Sequence, residues 1–200
     1  MPAPPMRIDL GDTVLRAYTV DDAAAVARSV GESLEHLRPW MAWADGDSAD
    51  EAFQRTRLTG VVGQWERGDE YQYGLFDLDE ARILGSFGLM TRRGRGTLEI
   101  GYWLHVDARG RGYATQATAA LTNVALAVPR VTRALIYVDE ANDASAEIPR
   151  RLGYTQFRTE TVTPTAPGET GRQIVWLRET PIAFDEPEWS GPDTLTEGDR

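Results

Sequence analysis

Arg-Gly-Arg-Gly occurs twice in this chain, at 93–96 and at 109–112, sixteen residues apart. The second copy follows a β-branched, aromatic run and opens an apolar helical pattern, "GYATQATAALTNVALAV" (112–128), with Ala114, Ala117, Leu121, Val124 and Val128 on one face and Pro129 as its stop. A glycine-rich loop entering a helix leaves several backbone N–H groups unpaired and pointing one way, and the helix dipole adds partial positive charge. Gly110 and Gly112 let a phosphate approach the backbone where a Cβ would block it, and Arg109 and Arg111 add full charges. The chemistry available is anion binding, with an ordinary strand-to-helix turn as the alternative. The first copy lies between two short strand-like runs, where Gly94 and Gly96 supply the positive dihedrals of a hairpin turn. Just after it stands Glu99, a carboxylate inside an otherwise apolar strand, "TLEIGYWLHV" (97–106). Such a group is costly to bury unless it is used or paired, although strand alternation also allows it to face outward.

Other chemistries drop out. The chain has no cysteine, so disulfides, Cys–zinc sites and thiol nucleophiles are excluded. His36 and His105 are the only imidazoles, too few for a His-rich metal site, and no metal is expected. All 21 basic residues are arginine, which rules out a Walker-type lysine loop. Ser86, His105 and Asp107 do not make a hydrolase triad, because no Gly-x-Ser-x-Gly elbow carries the serine. A net charge of −10 disfavours nucleic acid as a partner, including an RNA-binding role for the Arg-Gly runs. No apolar run reaches membrane-spanning length and the first ten residues lack a signal-peptide core, so a soluble cytoplasmic protein is expected.

The elements that must hold these residues can be read in order. Residues 13–20 alternate as a strand, with "MRIDL" as a hairpin partner across Gly11-Asp12. Thr19 and Asp22 mark a helix start over 20–31, and a separate short helix over 32–43 is expected to break at Pro39. Ser48 with Glu51 signals a further helix over 49–67. Strands over 71–78, 82–91 and 97–106 form an antiparallel meander, because their connections are short. After the 112–128 helix come a strand (131–140), a helix (142–152) capped by Asn142 or Asp143 and ended by Gly153, and strands over 154–162 and 172–179. The fold class is α/β (α+β), with a mixed, mostly antiparallel central sheet of about six or seven strands and flanking helices. Residues 1–180 form the domain. Residues 181–200, with six acids against Arg200, carry half of the net charge and read as a flexible acidic tail.

Taken in order, these segments resemble the GNAT superfamily of acetyl-CoA-dependent N-acetyltransferases, and within it the ribosomal-protein-alanine (RimJ/RimL) type. The family's pyrophosphate motif, Gln/Arg-x-x-Gly-x-Gly/Ala, is matched by Arg109-Gly110-Arg111-Gly112-Tyr113-Ala114. "EIGYWLHVDA" looks like the family's fourth strand. Asn142, Ser145, Leu152, Gly153 and Tyr154 match its Asn-x-x-Ser…Leu-Gly-Tyr/Phe segment, and "SLEHLRPWMAW" resembles a Rim-type segment ending in two tryptophans. The likeness spans about residues 5–180. It departs at Gln116, where many relatives carry Glu, and at Pro149, where many place the tyrosine that protonates the leaving thiolate.

The resemblance implies acetyl-CoA as cosubstrate and a sheet splayed between the fourth and fifth strands. The coenzyme would be held by Arg109, Gly110, Arg111, Gly112, Tyr113, Ala114 and Thr115, and by backbone groups of Leu104, His105 and Val106, which pair with the pantetheine arm like a neighbouring strand. Asn142 would steady it from across the cleft, cap the helix, or do both. Acetyl transfer to an amine needs a proton acceptor, which Glu99 would supply, and a group to protonate the thiolate, for which Ser145 is the positional match, unless it only caps the helix. Trp40 and Trp43 would wall the acceptor site. Tyr154 reads as a core residue with its hydroxyl at an edge. The acceptor would be a protein N-terminus or a small amine, and a homodimer is left open. The competing function is an acyl-CoA-binding module that senses coenzyme without catalysis.

Overall fold

A computed structural model describes residues 3–183. Eight strands, one more than the upper expectation, make a single sheet: β1 (Arg7–Asp9), β2 (Thr13–Ala17), β3 (Glu70–Asp77), β4 (Ile83–Met90), β5 (Thr97–Leu104), β6 (Arg133–Asp139), β7 (Thr155–Thr161) and β8 (Arg172–Arg178). Their order is β1-β2-β3-β4-β5-β6-β8-β7, antiparallel throughout except for β5 with β6. The four helices are α1 (Ala23–Leu37), α2 (Glu51–Arg67), α3 (Tyr113–Ala127) and α4 (Asp143–Arg151). None is long and apolar enough to cross a membrane.

Alternation along the strands sends side chains to two cores. Leu75, Leu89, Leu98 and Ile100 face α3, whose Ala114, Ala117, Ala120 and Leu121 let the helix lie close to the sheet. Phe76 and Ile83 face the other way and pack with Val26, Val30 and Leu58 of α1 and α2. The expected break within the first helical region is absent: α1 runs unbroken from Ala23 to Leu37, and the chain leaves the helix only at the Arg38-Pro39 step. The Thr19–Asp22 signal holds, since Thr19 N–H donates to the Asp22 carboxylate at 2.7 Å. The second signal is displaced. Asp50 caps α2 by accepting from Phe53 N–H at 2.8 Å, while Ser48 closes a preceding turn with Asp45.

The one parallel pair shapes the molecule. β5 and β6 are in register only from Thr97↔Arg133 to Glu99↔Leu135. Beyond that point β5 stays with β4 and β6 with β8, so the sheet splays open between them, between the strands that correspond to the family's fourth and fifth. Of the expected tail, residues 184–200 lie outside the described residues. Pro181 and Ile182 belong with the domain: Asn123 of α3 accepts from Ile182 N–H at 2.7 Å and donates to its carbonyl at 2.9 Å, and Arg178 donates to the Pro181 carbonyl.

Candidate active site

A cleft of about 640 Å³ passes through the splay, from the α1–α2 side of the sheet to the N-terminus of α4. It brings together Glu99, Asn142, Ser145, Trp40 and Trp43 from three separate stretches of the chain. The floor is low where Gly88 of β4 faces Gly101 of β5. Trp43, partly exposed, packs on Trp103 with ring centroids 5.9 Å apart, so these tryptophans line the cleft rather than fill a core.

Glu99 is 4% exposed, which removes the outward-facing alternative. Strand pairing of Glu99 with Met90 places the hairpin after β4 directly beside it. Two arginines of that hairpin close on the carboxylate: Arg92 Nε donates to Oε2 at 3.1 Å, and the guanidinium of Arg93 pairs with the same oxygen. The hydrogen bond to Glu99 pushes the Arg92 pKa above its ordinary value, against burial, which lowers it. Arg93 also lies over the Tyr137 ring, 3.7 Å from its centroid. Sequence reading treated this hairpin as a turn only. The missed signal was register: a short loop between antiparallel strands must return its basic residues next to the first acid of the following strand.

At the opposite side of the splay, Asn142 caps α4 by accepting from Ser145 N–H at 3.1 Å. Ser145 is therefore the capped residue and not the cap. Pro149 has no N–H to give to the carbonyl four residues back, that of Ser145. Tyr102 of β5 supplies the missing donor, its hydroxyl reaching that carbonyl at 3.1 Å, and the Ser145 hydroxyl lies 3.3 Å from the same phenol. Burial pushes the Tyr102 phenol well above its ordinary pKa, so it stays protonated. A phenol thus stands at the cleft although residue 149 has none. Tyr154 is core, as expected, but its hydroxyl is buried against Thr122 at 2.6 Å rather than at an edge.

The second Arg-Gly-Arg-Gly enters α3 with Gly110 and Gly112 in the left-handed region, at φ +73° and +81°. A Cβ added to either would meet nothing within 4 Å, so the space above the loop is clear. Gly112 takes the N-cap position and offers no side-chain acceptor. The N–H groups of Tyr113, Ala114 and Thr115 in the first turn find no partner among the described residues. Arg109 and Arg111 are exposed beside them, and Arg109's charge, after burial, helps to lower the pKa of His36 on α1. Clear space, unpaired donors and two guanidiniums suit a pyrophosphate.

The 104–106 stretch is more committed than sequence suggests. His105 N–H donates to the Leu84 carbonyl and Val106 N–H to the Ser33 hydroxyl at 3.1 Å. The His105 ring is buried: Nδ1 accepts from Asp107 N–H, which leaves the proton on Nε2, 2.8 Å from a Glu32 carboxylate oxygen. It fixes the turn after β5. Gln116 likewise has a local task, donating to the Leu10 carbonyl.

A family model described as "Acetyltransferase (GNAT) domain" matches residues 12–155. The ribosomal protein uS5-alanine N-acetyltransferase of Escherichia coli (strain K12) is 25% identical over 154 residues, covering 76% of this chain and 79% of its own. Among solved structures, the ribosomal-protein-S5-alanine acetyltransferase of Vibrio fischeri superposes with a TM-score of 0.79 at 18% identity, over 88% of this chain and 97% of that one. RimL, a ribosomal L7/L12 α-N-protein acetyltransferase in complex with coenzyme A, superposes with a TM-score of 0.78 at 19% identity, over 88% and 99%. At those identities the two structures carry the fold.

Proposed function

The chain belongs to the GNAT acetyltransferase family, and we propose that its through-sheet cleft is where an amine takes the acetyl group of acetyl-CoA, with Glu99 receiving the amine's proton. The cosubstrate supplies an activated thioester. What the protein supplies is placement and proton handling. Arg109, Arg111 and the first-turn N–H groups of α3 hold the pyrophosphate. The open edges of β5 and β6 lead the arm into the splay, and Asn142 borders it from α4.

An alkylammonium is not nucleophilic until it loses a proton, and a positioned carboxylate contributes roughly 10²–10⁴-fold to such a step. Glu99 is buried, faces the cleft and is paired with two guanidiniums, so its lone pairs are partly engaged. The incoming ammonium exchanges with Arg92 or Arg93 at the carboxylate before its proton moves. The Ser145 hydroxyl, backed by the Tyr102 phenol, is the proton source for the departing thiolate in place of the tyrosine that Pro149 lacks. Trp40, Trp43 and Trp103 bound the acceptor side. A protein N-terminus suits that open, aromatic wall, and the named relatives act on ribosomal-protein termini. The cytoplasm is the matching compartment.

The observation that carries this reading is Glu99, a buried carboxylate in the wall of the splay, together with the unpaired N–H groups at the start of α3. Release of free thiol from acetyl-CoA, followed with a panel of N-terminal peptides and small amines, tests it. Amine-dependent release with mass-detected acetylation is expected. Tight acetyl-CoA binding with no release for any amine would support the coenzyme-sensing alternative instead.

A further inference from the structure

On the α1–α2 side of the cleft, three arginines line the wall: Arg57, Arg92 and Arg93. Arg92 and Arg93 are paired with Glu99. Arg57 of α2 has no carboxylate within ion-pair distance among the described residues. Its hydrogen bonds go to neutral amide oxygens, Gln54 Oε1 at 2.7 Å and Gln72 Oε1 at 3.1 Å. The other acids at the cleft are engaged elsewhere. Asp139 accepts from the backbone of Ala141, Thr170 and Gly171, and Glu169 from Thr165 and Ala166. Glu70 adds its charge to the surroundings of Arg92.

A second feature lies against the same guanidinium. Arg57 sits over the Tyr18 ring, 5.8 Å from its centroid. Tyr18 is 4% exposed and its hydroxyl lies near the Ser86 hydroxyl without a well-formed hydrogen bond. The ring packs over Gly74, which pairs with Ser86 of β4, a cleft-lining residue. A half-buried cation without a counter-ion therefore faces the acceptor cleft, with the buried Tyr18 ring packed behind it. An anion with oxygen acceptors would supply the missing counter-charge.

We propose that Arg57, with Gln72 beside it, is the subsite for a carboxylate carried by the acceptor, so that the acceptor is a primary amine bearing a remote carboxylate. This rests on the acetyl-transfer reading, with the amine at Glu99. Burial pushes the Arg57 pKa below its ordinary value, as expected for a charge short of compensation. Register sets the span. Gln72 faces Gly88, Gly88 faces Gly101, and Glu99 lies two residues along β5. Two strand spacings and two residues separate the Gln72 and Glu99 backbones by roughly 12 Å. Gly88 puts no side chain on that path, and over Gly101 lies only the flexible end of the Met90 side chain. An α-amino acid, whose two charges are adjacent, cannot reach both ends, whereas a longer amino carboxylate or a peptide N-terminus followed by an acidic side chain can.

The test uses matched acceptors that differ only in the anion: glycine, γ-aminobutyrate and ε-aminocaproate against their amides, and an Ala-initiated peptide with Glu or Gln at its second or third position. For the wild type, kcat/KM is expected to favour the acid over the amide by about tenfold or more for the longer acceptors. Glycine should show no such preference. The peptide and small-molecule arms decide which source of carboxylate is preferred. In Arg57→Gln the preference should collapse to below about twofold, with acetyl-CoA affinity reporting that the fold is intact. Equal use of acid and amide by the wild type overturns the inference. So does an Arg57→Gln variant that loses both members of each pair by the same factor, since that marks a purely structural arginine. If no amine releases thiol in any arm, the transfer reading fails. The subsite is then decided by calorimetry: ε-aminocaproate must bind the wild type more tightly than its amide, and Arg57→Gln must not discriminate, or the subsite is refuted.

Discussion

The two Arg-Gly-Arg-Gly loops share a tetrapeptide and little else. At 93–96 the glycines turn a hairpin, Gly94 at φ +91° and Gly96 at φ +76°, and Arg93, with Arg92 just before it, folds back onto a buried carboxylate. At 109–112 the glycines again take positive φ, yet the arginines have no such partner and the N–H groups beyond them are unspent. In the first loop Arg93 pairs with that buried carboxylate, while Arg95 stays exposed. In the second, on the acetyl-transfer proposal, both arginines are left for the phosphates of the coenzyme. Glycine supplies the conformation in both, so what separates a structural loop from a binding loop is whether the chain itself provides the counter-charge.

The widest separation between the loops is expected from one substitution made in each. Gly94 and Gly112 both have positive φ and clear space where a Cβ would go, so valine strains the backbone comparably at the two sites. Gly112→Val should weaken acetyl-CoA binding by about 100-fold or more, because it fills the space that a phosphate needs. Gly94→Val should leave the dissociation constant within about twofold while costing roughly 1–2 kcal/mol of stability. Calorimetry and melting curves on the pair check both statements, and equal losses of affinity would erase the distinction.

The arginines sharpen the same contrast. Replacing Arg92 and Arg93 together by alanine leaves Glu99 buried without compensation, and a stability loss of about 2–4 kcal/mol is expected from denaturant unfolding. Replacing Arg109 and Arg111 together should cost little stability. It should instead weaken acetyl-CoA by about tenfold and flatten the salt dependence of binding. The smallest effect belongs to Gly96→Ala. Its Cβ would lie 3.1 Å from the Arg130 carbonyl at a positive φ, and a loss of about 1 kcal/mol with unchanged coenzyme affinity is expected.

Much of this site was legible in the sequence where the signal is local. The positive-φ glycines, the capping Asn142 and the helix stop at Pro129 are decided by nearest neighbours, and they stand where the pattern put them. Residues whose roles depend on partners distant in sequence were not legible. The Tyr102 hydroxyl serves a carbonyl that Pro149 frees 43 positions away from the tyrosine, and nothing near Tyr102 announces it. Arg57 reads as one more arginine on a helix until the fold shows Gln54 and Gln72, not an acid, beside it. The boundary expected between residues 31 and 32 failed for another reason: α1 is carried through Gly31 to its stop before Pro39 by buried Val26, Val30, Ser33 and Leu37, a tertiary gain larger than the local helix penalty of one glycine. The strand beyond the expected six or seven is β1, within the "MRIDL" segment read as a hairpin partner: only three residues long, it is held by pairing with β2 rather than by its own propensity.

The central claim is that Glu99 receives the proton of the acceptor amine. Glu99→Gln keeps the side chain's shape and removes that capacity, so its pH–rate profile against the wild type is the most direct measurement. Acetyl-CoA should bind with an unchanged dissociation constant, and kcat/KM should fall roughly 100-fold near neutral pH. The deficit should narrow as pH rises above about 8, where a terminal α-amine is increasingly neutral and needs no base. Unchanged turnover, or a loss of the same size at every pH, contradicts the claim.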